Sequence, residues 1–168
     1  MNIYKYKTGR NTWYWTAVYI AVFILMLVLM MHLYEGGYMS AWFASFIIAL
    51  FALMSMSIPR KLVITEESLQ IRCILDITEI PLHEIASVRA VSKREMRWKM
   101  PIFGCCGFFG FYGHFVDLKN MRHIEIYATE WRSFIEITTI YEDTYYVSCR
   151  TRRALVEELR QRSGIAKK

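Results

Sequence analysis

Hydrophobic residues dominate the first third of the chain with almost no interruption. Between Thr12 and Ile58 the single formal charge is Glu35, beside Gly36 and Gly37, and apolar runs extend on either side, Trp13 to Met31 and Met39 to Ile58. Each run approaches the ~20 residues that a helix rising ~1.5 Å per residue needs to cross a hydrocarbon core. Around Ala21 to Met31 no polar stripe is left on any face, a pattern that suits lipid or a large protein interior. The pattern therefore predicts a transmembrane helical hairpin over residues 12–58, with helices about 13–33 and 38–58, behind a short N-terminal segment, residues 1–11. A secretory signal fits less well, because the first run is long, no small-residue cleavage site precedes Glu35, and a second apolar run follows at once.

After Pro59 the period changes from helical to two. Lys61 to Thr65 and Ser68 to Cys73 alternate around a Glu66-Glu67 turn, and Asp76 to Leu82 repeats the pattern, with Pro81 marking an edge or an end because it lacks a backbone donor. Ile85 to Ser92, His123 to Thr129, Ser133 to Thr139 and Thr144 to Ser148 supply further strands. Thr151 to Arg162 carries Leu155, Val156 and Leu159 at helical spacing, with Ser148 or Thr151 available as a cap. The expected fold class is an α+β membrane protein. Its transmembrane hairpin is followed, over residues 59–168, by an antiparallel β-sandwich or barrel of about seven strands that a C-terminal helix closes.

One stretch breaks the alternation. The basic run Lys93 to Lys99 leads into Pro101 to Phe115, where Gly104, Gly107, Gly110 and Gly113 recur every third residue among Phe103, Phe108, Phe109, Phe111, Tyr112 and Phe115. Glycine at that density permits positive backbone angles, which predicts a repeatedly turning loop. Its rings either fill the domain core or face the bilayer and the ends of the helices.

Charge sets orientation and candidate ligands. The 168 residues carry a formal net charge of +6. Lys5, Lys7 and Arg10 precede the first helix, Arg60 and Lys61 follow the second, and the turn from His32 to Ser40 has neither Lys nor Arg. That bias places both termini in the cytoplasm of a multi-pass inner-membrane protein, with Trp13, Tyr14 and Trp15 as the inner aromatic belt and Tyr34, Tyr38 and Trp42 as the outer one. The basic excess is too dilute for a nucleic-acid face. Arg94, Arg97 and Lys99, and Arg150, Arg152 and Arg153 at the last helix's start, are the candidates for an anionic headgroup. Three guanidiniums beside free helix N–H groups suit a phosphate, and a solvated charge run is the plainer alternative.

Chemistry for catalysis is missing from the pattern. Cys73, Cys105, Cys106 and Cys149 form no C-x-x-C pair and read as free thiols, and adjacent Cys105 and Cys106 with His114 and His123 make a poor metal chelate. Glu125 and Glu136 occupy outward positions of their strands, as on a solvated sheet face. No enzyme, metal or cofactor is expected.

The segments Ile80-Pro81-Leu82-His83-Glu84-Ile85-Ala86-Ser87-Val88, Phe103 to Phe115, Ile126 to Thr129 and Tyr146-Val147-Ser148 together resemble the bacterial pleckstrin-homology-like domain family. Its members combine an I-P-L-x-x-I-x-S-V strand, a glycine-rich F-G-x-x-G-x-F-G-x-x-G-x-F loop and a Y-V/I-S strand before the last helix, commonly behind two membrane spans. The resemblance covers roughly Pro59 to Arg162 and implies a seven-stranded pleckstrin-homology fold without fixing a ligand. The chain departs from it where Cys149, Arg150, Arg152 and Arg153 replace a proline and acidic residues. A non-enzymatic role in protein interaction or self-assembly at the inner leaflet is the expectation, through the sheet edge or the aromatic loop, with an anionic lipid headgroup as the alternative ligand.

Overall fold

The computed structural model describes residues 2–6, 9–33 and 38–164. The turn at Glu35-Gly36-Gly37, with Tyr34, and Lys7 of the basic flank lie outside the described residues. Two helices come first after a short strand: β1 (Asn2–Lys5), α1 (Arg10–Leu33) and α2 (Tyr38–Met56). The strands β2 (Pro59–Ile64), β3 (Ser68–Cys73), β4 (Ile77–Pro81) and β5 (Ile85–Val91) follow, then β6 (Lys99–Cys106), β7 (Phe111–Asp117), β8 (Arg122–Ala128), β9 (Phe134–Thr139) and β10 (Thr144–Ser148), and last α3 (Arg152–Arg162).

Alternation in the sequence becomes burial in the sheets. In β3, Leu69, Ile71 and Cys73 are buried while Ser68, Gln70 and Arg72 are half-buried on the other side. β4 lies at the edge of a four-stranded sheet ordered β1-β2-β3-β4 and stops at Pro81, where the missing donor ends pairing. A six-stranded sheet, β5-β9-β10-β8-β7-β6, packs against it. The main core lies between the sheets, where Leu62, Ile64, Leu69, Ile71, Val88, Ile135, Ile137 and Val147 meet Leu155, Val156 and Leu159 of α3. A second core covers the other face of the larger sheet, built on Phe115, Ile124, Ile126, Phe134 and Tyr146 and closed by Met96 from the 3-10 turn Glu95–Trp98.

Several expectations are corrected. The described residues hold ten strands rather than about seven, in two sheets without a closed barrel. The sheets are not wholly antiparallel, because β10 inserts between β8 and β9 and runs parallel to β8. β1 comes from ahead of α1 and pairs with β2, so Asn2–Lys5 join the sheet of the domain that follows the helices. The glycine-aromatic segment is not a loop: Gly104 lies opposite Gly113 in an antiparallel hairpin, β6 and β7, whose turn is residues 107–110. Glycine is required there because a Cβ on Gly104 would stand 2.3 Å from the Tyr112 carbonyl oxygen.

Both helices expose apolar side chains over most of their length. Among the described residues α1, at 24 residues, is the one helix long and apolar enough to cross a membrane, whereas α2 offers the shorter apolar stretch Ala41–Leu53. α2 ends early, at Met56, where the carbonyl accepts a hydrogen bond from the Leu75 amide and the chain turns into β2.

Candidate functional site

The β6–β7 turn is joined to α1 by a polar ladder in an otherwise apolar contact. Thr12, Thr16 and Tyr19 recur on one helix face, three or four residues apart. The Thr12 hydroxyl donates to the Thr129 carbonyl (2.8 Å), just beyond β8. Thr16 Oγ1 accepts from the Phe109 amide (2.9 Å) and lies 3.2 Å from the Gly107 carbonyl, and the Tyr19 hydroxyl donates to the Cys106 carbonyl (3.0 Å). Polar groups of the turn, which has no further strand to pair with, are thereby satisfied by helix side chains. Phe108 is fully buried and meets Phe51 of α2 edge-on, with ring centroids 4.6 Å apart, and Phe109 meets Trp13 at 5.7 Å. Gly107, at φ +110°, lets the turn approach Trp15, since a Cβ there would lie 3.1 Å from the tryptophan Cβ.

At the opposite end of the larger sheet is a pocket of about 150 Å³ bounded in part by Arg89, Asp117, Arg122, Glu136 and Tyr146. Its charges hold one another. The Arg89 guanidinium donates twice to Glu136, at 2.7 and 2.8 Å, and once to Glu95, at 2.9 Å. The Tyr146 hydroxyl donates to Glu136 (2.5 Å), and Lys99 Nζ donates to Asp117 (3.0 Å) and to Tyr146 (2.9 Å). Burial, then the neighbouring Glu136 carboxylate, pushes the Tyr146 phenol far up. Burial alone would raise Asp117, but the Lys99 ammonium and the Lys119 amide outweigh it and hold the carboxyl below its ordinary range. Around the pocket the β7–β8 and β9–β10 turns expose Leu118, Met121, Ile140 and Tyr141, and Arg122 bridges the turns to Glu142 at 3.2 Å.

A family model described as Bacterial PH domain matches residues 60–163, well over half of the chain. The chain belongs to the bacterial PH domain family. No curated protein and no solved structure shows a matching similarity. The matched span of this PH domain begins in β2 and ends just beyond α3, so β1, α1 and α2 fall outside it.

Within the PH domain the expected basic candidates differ in exposure and in partners. Lys99 is not available to a headgroup: its side chain is 3% exposed and committed to Asp117 and Tyr146. Arg152 donates to the Val91 carbonyl at 3.4 Å, while Arg94, Arg97, Arg150 and Arg153 are exposed. The expected cap also differs, because Thr151 makes no side-chain cap bond and Ser148 Oγ accepts the Thr129 amide instead. Glu136, expected on a solvated face, is buried, because the 3-10 turn covers the side of the sheet that alternation alone leaves open.

The aromatic candidates divide. Phe108, Tyr112 and Phe115 are buried, Phe109 and Phe111 are half-buried, and Phe103 is exposed on β6. All four cysteines are free. Burial pushes the Cys73 thiol up to about 12 and Cys106 to about 11, and raises Cys105, so these sulfurs stay protonated and unreactive near neutrality. His114 stacks on His123 with ring centroids 5.0 Å apart, and no cluster of three metal-binding side chains occurs among the described residues.

Proposed function

We propose that this chain is a non-enzymatic, multi-pass inner-membrane protein whose cytoplasmic PH domain binds a protein partner, or another copy of itself, at the inner leaflet. α1 supplies the length and apolarity for one span. α2, with 19 residues, supplies the second in this reading, as a short helix accommodated by local thinning of the bilayer. The start of α1 and the end of α2 are both held by the same domain, and Lys5, Arg10, Arg60 and Lys61 lie on that side, which favours a cytoplasmic location for both termini.

The observation that carries the interaction role is the exposed apolar set Leu118, Met121, Ile140 and Tyr141, displayed around a polar pocket at the end of the larger sheet opposite the β6–β7 turn that meets α1 and α2. Apolar side chains gathered on two adjoining turns and rimmed by charge suit a protein surface. The glycine-aromatic turn is already occupied by the helices, so self-association in this reading uses the pole or an edge. The buried ionisable groups neutralise one another, which fits binding better than catalysis. Photo-crosslinking from Tyr141 in native membranes tests the reading: a discrete adduct lost in Met121→Asp supports it, and the absence of any adduct refutes it.

Anionic lipid binding is a second reading, favoured by one feature. The first turn of α3 has no acidic residue and no side-chain cap, yet Arg150 and Arg153 are exposed beside it. Anionic lipid that co-purifies with the chain and is lost in the Arg150, Arg152 and Arg153 triple alanine variant would support it, and unchanged lipid content would exclude it.

A further inference from the structure

The direction in which α1 leaves the domain identifies a second surface. Along the helix, Thr12 reaches the chain just past β8, Thr16 reaches the β6–β7 turn, and Tyr19 reaches Cys106 on β6. The helix therefore crosses the strand ends from β8 towards β6 and departs on the β6 side. Past that point its residues Ile20, Ile24 and Leu27 line an apolar groove of about 510 Å³ with α2. At the other helix, the β3–β4 turn sits on the last carbonyl of α2 through the Leu75 amide (3.3 Å).

Both elements beside the helix pair expose apolar side chains. In the β3–β4 turn Leu75 is 69% exposed and Ile74 joins it, and on β6 Ile102 is 62% and Phe103 80% exposed. β6 is the outer strand of its sheet, and from Met100 to Cys106 it carries no charge. Proteins guard such edges in water with lysine or with cover, and an uncovered apolar edge there is an aggregation hazard. Beside two helices that enter a bilayer, the same edge has a partner.

We propose that Ile74 and Leu75 on one side of the helix pair, and Ile102 and Phe103 on the other, form an apolar collar that rests the PH domain in the interfacial zone of the bilayer. The proposal depends on the reading of α1 as a membrane span. Backbone chemistry limits the depth. The outward N–H and C=O groups of an edge strand find no partner in hydrocarbon, so β6 belongs at the headgroup level, where water and lipid polar groups reach it. Pro101 removes one of those donors, and the strand is bulged between Pro101 and Phe103. The β6–β7 turn differs, because Thr16 and Tyr19 satisfy its Phe109 amide and Cys106 carbonyl, which lets its rings sit deeper between the helices.

Depth-dependent fluorescence quenching on the full chain tests this, in vesicles of phosphatidylcholine and phosphatidylglycerol. An environment-sensitive dye is attached at single added cysteines, Phe103→Cys and Leu75→Cys, with Leu25→Cys in α1 and Tyr141→Cys at the far pole as references. Ile102→Cys replaces Phe103→Cys if that variant does not fold, and the unsubstituted chain measures background labelling of the native thiols. The collar positions are expected to be quenched several-fold more by a shallow lipid-borne quencher than by aqueous iodide, and Tyr141→Cys by iodide alone. Equal iodide quenching at positions 103, 75 and 141, with position 25 still quenched by lipid, overturns the collar and leaves the span intact. Protection from both quenchers at 103 and 75 also overturns it, since protein would then cover them. Iodide quenching at position 25 removes the spanning reading and the collar with it.

Discussion

Replacing Thr16 by valine removes one oxygen from a site that is otherwise apolar, and the structure predicts the opposite of what hydrophobicity suggests. Thr16 is 1% exposed, and its hydroxyl accepts from the Phe109 amide at 2.9 Å while lying 2.7 Å from the Thr12 carbonyl and 3.2 Å from that of Gly107. Valine keeps the shape and leaves the Phe109 N–H without an acceptor. An orphaned buried donor costs about 1–3 kcal/mol, whereas Thr16→Ser keeps the hydroxyl and loses one methyl, about 0.8 kcal/mol. The cost falls on docking of the β6–β7 turn against α1, so it is read as local opening. Cys106, at the turn, has a protonated, half-buried thiol that labels slowly while the turn is docked. Alkylation of Cys106 in detergent micelles, in a Cys105→Ser background, should accelerate roughly 5- to 150-fold in Thr16→Val and much less in Thr16→Ser. Equal rates in the two variants, or faster labelling with serine, would refute the role given to this hydroxyl.

Lys99→Met should destabilise the domain by about 3 kcal/mol or more, because it leaves Asp117 without its ammonium partner, and should lower the thermal midpoint by roughly 12 °C. Adding Asp117→Asn should recover part of that loss. Gly104→Ala forces β6 away from the Tyr112 carbonyl and should cost about 1–3 kcal/mol, measured as a lower unfolding midpoint. Glu95, held down by the Ser92 amide and hydroxyl and by Arg89, and Asp117 both have lowered folded pKa values. Their stabilisation is complete above the ordinary carboxylate range and is lost as pH falls through the folded values, so the denaturation midpoint should drop below about pH 4. Asp117→Asn should flatten that acid slope.

How much the residues alone reveal depends on what covers them. Strand β3, the edge position of Pro81 and helix α3 are legible because their alternation or helical spacing matches a single buried face. Strand β6 is not, since glycines every third residue obscure a period of two, and their purpose is visible only when Gly104 faces Gly113 across a ladder. Glu136 and Lys99 also escape a one-dimensional reading. Glu136 looks outward in its strand and is buried because the segment carrying Met96 folds over the second face of the sheet, and Lys99 sits in a basic run yet is buried against Asp117 and Tyr146. The ladder of Thr12, Thr16 and Tyr19 has the same character: on an apolar helix, hydroxyls normally bond to their own backbone, and nothing local announces the hairpin that claims them. Arg150, Arg152 and Arg153 are legible as a cluster, but their destinations are not, because Arg152 turns to the Val91 carbonyl.

Alkaline carbonate extraction of membranes from cells that express the chain tests the central claim, that lipid surrounds the exposed apolar helices and holds the PH domain at the membrane. The account predicts that the chain stays in the membrane pellet after ultracentrifugation. Release into the supernatant would contradict it.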